Sequence, residues 1–167
     1  MSKSTTQESA LPSFISSNKN YINGIASITS GLQQKIYQKM SELAVDIPKQ
    51  KVVSKNHPII KKALKGFGKH YRVMQKQCFR NAHKVCQFST DFEYVEGFIN
   101  AVIPIEHAWN FHKPSGLYID LTAEAHFDLE SEYTKIISIS NYELTKLLIE
   151  AKFHESVMAR YARNILN

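Results

Sequence analysis

Apolar positions first settle into a helical rhythm after Ser30-Gly31, where Leu32, Ile36, Tyr37, Met40 and Leu43 share one face and Pro48 closes the segment. Lys51, Val52 and Val53 then read as a short edge strand. Pro58 suits the first turn of a helix through Ile59, Ile60, Ala63 and Leu64, which Gly66 and Gly68 end. That Gly-x-Gly is not a phosphate loop, because no strand clearly precedes it and the accompanying lysine and hydroxyl are missing. A further helix is expected over 77–87, burying Phe79, Ala82, Val85 and Cys86 on one face. From Phe92 the period falls to two. Segments 92–100, 103–111 and 117–121, with Lys113-Pro114-Ser115-Gly116 as a turn, predict an antiparallel meander. A fourth strand is expected over 133–139, and Asn141 is placed to cap a closing helix through Leu144, Leu147, Leu148, Ala151 and Val157. The layout is α+β, with helices first, then a sheet, then one or two helices. Residues 1–20, rich in Ser, Thr, Asn and Gln, are expected to form a flexible N-terminal tail, and 21–167 a single α+β domain of catalytic type.

Composition agrees with one globular unit. The 167 residues are 43% hydrophobic and 11% aromatic, enough for a real core. Cys78 and Cys86 lie eight residues apart, about 12 Å along a shared helix, too far for a disulfide. No secretory leader is evident, and runs such as 101–105 are too short to span a bilayer, so a reducing, cytoplasmic setting without membrane contact is expected. The net charge of +6 hides a split. Residues 47–90 hold eleven Lys/Arg and no acid, whereas 91–155 hold twelve acids against four lysines. Such asymmetry suits a nucleic-acid face, an acidic partner or mutual attraction of the two halves, and a solvated basic surface is the simplest reading. Nucleic acid as a partner stays open but is not favoured.

Candidate chemistry sits between Gln77 and Thr122. Cys78 opens a helix, where partial positive charge, neighbouring Lys76 and Arg80 and a nearby imidazole favour a thiolate, the form that attacks carbonyls. The N–H of Cys78 is one candidate donor to an oxyanion. His107 heads a strand on which His107, Trp109 and Phe111 share a face, with Ala108 and Asn110 on the other. A turn at Pro114–Gly116 makes paired residue numbers sum to about 229 or 230. That places Asp120 opposite Asn110 or Trp109, and a bulge of one or two residues would bring it level with His107. Asp120 would then fix the tautomer of His107.

The run Q-C-F-R-N-A, then Y-V-E-G-F, then H-A-W and D-L-T resembles the core of the transglutaminase-like, papain-like cysteine superfamily, and also small phage and bacterial proteins with a C-[YF]-x-N-A…Y-V-E-G…H-A-W…D-x-T pattern. It covers about 45 of the 167 residues. The resemblance implies a nucleophile helix packed on a small antiparallel sheet, with Cys78 as nucleophile, His107 as base and Asp120 as its orienter. Leu121 stands where that family usually has proline, and Gln75-Lys76-Gln77 replaces its W-G-x-C context. Gln75 and Gln77 are therefore both candidates for the oxyanion side chain.

Glu96, Trp109 and Asn81 are candidate substrate contacts, weighed against a solvent-facing strand residue, a core indole and a helix residue bonded to a loop. Cys86 reads as core and His112 as a surface histidine. His57, His70, His83, His126 and His154 lack metal-ligand spacing, and neither metal nor cofactor is expected. The expected function is cysteine-dependent acyl transfer on a protein, peptide or other amide substrate: hydrolysis, deamidation or transamidation through a thioester. The rival expectation is a non-catalytic binding protein on the same scaffold, whose 47–90 region contacts nucleic acid or an acidic host protein.

Overall fold

The computed structural model describes residues 17–65, 73–100, 103–122, 131–149 and 156–167. Six helices and six strands follow in the order α1 (Asn18–Ile28), α2 (Gly31–Leu43), β1 (Val45–Ile47), β2 (Val52–Ser54), α3 (Pro58–Leu64), α4 (Cys78–Phe88), β3 (Phe92–Asn100), β4 (Pro104–His112), β5 (Leu117–Asp120), β6 (Glu132–Ile139), α5 (Asn141–Ile149) and α6 (Met158–Leu166). The fold is mixed α+β.

All strands join one sheet in the order β1-β6-β3-β4-β5-β2, antiparallel throughout except for the parallel pair β2–β5. Its edge strands are β1 and β2, yet only residues 48–51 connect them. Five spacings of a flat sheet span roughly 24 Å, and the chain from 47 to 52 reaches at most about 18 Å. The sheet must curl. Accordingly Ile47 of β1 and Val52 of β2 share a small core with Val95, Ile99, Trp109 and Tyr133, inside the curl. The opposite face carries the main core, where Ala82, Val85 and Cys86 of α4 meet Tyr94, Phe98, Ala108 and residues of α2, α5 and α6.

Several expectations shift. The tail boundary moves back from Asn20, because Asn18 is buried and its Nδ2 donates to Phe98 O (3.2 Å), Glu132 O (3.2 Å) and Thr134 Oγ1 (3.1 Å), pinning α1 to the sheet; residues 1–16 lie outside the described residues. The closing helix is capped by Ser140 and not by Asn141: Ser140 Oγ accepts from Glu143 N–H (3.2 Å) while Glu143 Oε2 accepts from Ser140 N–H (2.9 Å), a reciprocal pair one residue earlier. Val157 belongs to the start of α6, so the closing segment is two helices. Gly66, Gly68 and Ala151 lie outside the described residues.

Glu96 is the largest surprise of the strand pattern. It is 0% exposed, not solvent-facing. Both oxygens accept from Val157 N–H (3.0 and 2.9 Å), and Oε2 also from Met158 N–H (2.9 Å) and Ser156 Oγ–H (2.9 Å), while Tyr94 Oη–H bonds Oε1. The carboxyl thus ties the first turn of α6 to β3. Burial nevertheless outweighs these donors and pushes Glu96 up to about 7. A raised carboxyl binds its proton more tightly when folded, so this stability is fully present below about 4.5 and lost as pH rises through 7. Glu96→Gln should flatten that part of the denaturation profile, removing a slope on the order of 2 kcal/mol. Urea midpoints at pH 4.5 and 7.5 measure it; an unchanged slope contradicts the assignment.

Candidate active site

Two neighbouring strands and one helix tip deliver the three groups. The β4–β5 register pairs Asn110 with Ile119, Phe111 with Tyr118 and His112 with Leu117, so paired numbers sum to 229. Continued by one step, it sets Asp120 beside Trp109. No bulge is needed, contrary to the expectation from sequence. His107 and Trp109 point to the same face, and a diagonal neighbour two residues along is within side-chain reach. His107 Nε2 lies 2.6 Å from Asp120 Oδ2. Both residues are almost wholly buried, at 2% and 0% exposure.

Asp120 is held from three sides. Oδ2 also accepts from Tyr133 Oη–H at 2.9 Å, and Oδ1 accepts from Thr122 N–H at 2.8 Å. These donors fix the orientation of the carboxylate. With Nε2 donating to Asp120, the remaining ring nitrogen, Nδ1, is the one available to a thiol, and the Cys78 side chain lies near enough to act on the imidazole electrostatically. Burial alone would depress the imidazole. The charge and hydrogen bond of Asp120, and behind them Cys78, outweigh it and raise His107 to about 9. The Trp109 indole stacks on the imidazole at 6.0 Å between ring centres and meets Tyr133 edge-on at 5.3 Å.

Cys78 occupies the first turn of α4 and is partly exposed, whereas Cys86 is buried, as expected. Desolvation pushes the Cys86 thiol up to about 12. The two thiols of this chain are thus placed in opposite environments. Gln77 precedes the helix without a side-chain capping bond, leaving first-turn N–H groups unclaimed by it. Its Oε1 accepts from Arg80 Nη1–H at 3.2 Å, and Gln75 is exposed. Lys76 between them adopts φ 57°, a left-handed turn that reverses the chain into the helix.

Asn81 anchors this turn. Its Nδ2 donates to Met74 O (2.7 Å) and to Thr122 Oγ1 (3.3 Å), and its Oδ1 accepts from Met74 N–H (3.0 Å). One amide therefore ties the loop before Cys78 to the residues after Asp120. Asn81 is 1% exposed, which makes it a brace and not a substrate contact. Trp109 is 1% exposed and serves as wall, and Glu96 bonds α6; neither is open to substrate. His112 is not a surface histidine: it is 5% exposed, with Nδ1 2.7 Å from Ser115 Oγ. Sequence reasoning missed Tyr133 and Thr122; the T of D-L-T was the available signal for the latter.

Among the described residues no cluster of His, Cys, Asp and Glu is arranged to hold a metal ion, and no helix is long and apolar enough to cross a membrane. Comparison of the chain with protein-family models, curated proteins and solved structures finds no match.

Proposed function

We propose that this protein is a cysteine-dependent acyl-transfer enzyme with a papain-like, transglutaminase-like core, acting on amides through a thioester. The observation that carries the reading is the buried 2.6 Å bond between His107 and the Asp120 carboxylate, with the partly exposed sulfur of Cys78 near enough to help raise the imidazole. In this reading His107 takes the thiol proton, and the thiolate attacks the amide carbon. The developing oxyanion meets the N–H of Cys78, with the Gln77 amide as its side-chain partner. Imidazolium then returns the proton to the departing amine, leaving a thioester. Water or an amine, deprotonated by His107, releases the acyl group.

p-Nitrophenyl acetate tests this without knowledge of the natural substrate. The expected result is a burst of about one nitrophenolate per chain and one acetyl added at Cys78 by intact mass, both lost in Cys78→Ala. Absence of a burst, or a burst that survives the substitution, contradicts the reading.

A further inference from the structure

Next to this site, α3 and the segments after β2 and before α4 enclose a groove of about 480 Å³. Leu64, Val73 and Leu121 form its apolar floor, and Lys55, Lys61 and Lys65 stand around it. No acidic side chain lines it among the described residues. Lys61 and Lys65 are exposed and make no ion pair with any described residue. The surrounding stretch 47–90 holds eleven basic residues and no acid.

The groove abuts the site through covalent neighbours. Leu121 lies between Asp120 and Thr122, and Val73 directly precedes Met74. Asn81 bonds both Thr122 and Met74, and it sits three residues along α4 from Cys78. Residues so spaced on a helix are about 5–6 Å apart. The floor is therefore linked through Asn81 to the turn of α4 that carries Cys78, and a few extended residues at about 3.3–3.6 Å each suffice for a peptide to reach from one to the other.

We propose that this groove selects the substrate: an extended peptide whose reacting amide reaches Cys78 while an apolar residue rests on Leu121 and acidic side chains meet Lys55, Lys61 and Lys65. The proposal rests on the acyl-transfer reading and adds a substrate class, acidic peptides, to it. Leu121 gains a role here, since it supplies floor where the resembled family carries proline. Charge complementarity of this kind acts mainly on capture and choice of partner, and weakens with salt.

Chloroacetamide peptides test it directly. Thiolate displaces chloride, so one S–C bond forms as one C–Cl bond breaks, and labelled Cys78 is counted by mass. An acidic and a basic peptide of equal length, each with one leucine, carry the chloroacetamide at the N-terminus, and a second pair carries it at the C-terminus. In at least one polarity the acidic probe should label Cys78 about tenfold faster than the basic one. The double variant Lys61→Glu, Lys65→Glu should erase or reverse that preference while its rate with plain iodoacetamide stays that of the wild type. Equal rates in both polarities, or a preference that survives charge reversal, overturn the proposal. Protection of Cys78 by a DNA oligonucleotide without any peptide preference would assign the lysines to nucleic acid and also overturn it. The two readings separate cleanly: a Cys78 inert to iodoacetamide defeats the acyl-transfer reading, whereas a reactive Cys78 blind to peptide charge defeats only the groove.

Discussion

Asp120→Asn should lower acyl transfer by about 10³–10⁴-fold, by analogy with serine-histidine-aspartate systems, while leaving the chain folded. The carboxylate accepts from His107, Tyr133 and Thr122 at once. An asparagine has one acceptor oxygen and one NH₂, so its amide nitrogen must confront a donor. If the NH₂ faces His107, the ring turns to the tautomer that holds a proton on Nδ1, and it can no longer accept one from the thiol. If it faces Thr122 instead, a buried N–H loses its partner, at about 1–3 kcal/mol. The same variant tests the electrostatics. His107 is raised, so its contribution to stability is fully present below about 6.5 and is lost as pH rises through 9. Wild-type protein should therefore lose on the order of 2 kcal/mol across that window, and Asp120→Asn most of that slope. Guanidinium midpoints at pH 6 and pH 9.5 read it; parallel profiles would contradict the pairing. This window lies above that of Glu96, so the two groups can be resolved in one titration.

Gly97→Ala should cost the most stability of any single methyl addition described here, roughly 3–5 kcal/mol, against a total that for a domain this size is about 5–15 kcal/mol. A Cβ at Gly97 would stand 2.0 Å from Thr134 O, 2.8 Å from Lys135 Cα and 2.9 Å from Thr134 C. All three are backbone, so no side chain can swing aside. The cause is the register shift between Glu96 and Gly97, which brings β6 close against β3 at this point. Gly97 also pairs with His107, so the strand that presents the imidazole moves with it. The glycine of Y-V-E-G-F thus answers a steric demand. Thermal unfolding measures the effect, and a variant within about 1 kcal/mol of wild type would show that β6 tolerates displacement.

The readable parts of the sequence were those governed by local pattern. The helix opening at Cys78 announced itself by apolar spacing, and the β3–β4–β5 meander by alternation around one Pro-Gly turn, whose position gave a sum of about 229 or 230 where the register has 229. Elements held together from afar left no such trace. Helix α1 contains three asparagines and Gly24, so its propensity is poor, and bonds from Asn18 to residues eighty or more positions away fix its start. Strand β1 has three residues, two of them exposed, and exists because β6 offers an edge. Glu96 looked like an outward strand residue because its partners, at Ser156–Met158, lie some sixty residues on. The grouping of Cys78, His107 and Asp120 was visible for the opposite reason: α4, β4 and β5, with only β3 between them in sequence, pack as neighbours. Tyr133, the third donor to Asp120, arrives from β6 after a long connection and could not be placed by counting.

The rates of iodoacetamide reaction at Cys78 and Cys86, followed across pH in the wild type and in His107→Ala, test the central claim most directly. Cys78 should react at least about a hundredfold faster than Cys86 at pH 7, and His107→Ala should remove most of that advantage. Equal labelling of the two thiols in the folded protein, or an advantage indifferent to the imidazole, would contradict that claim.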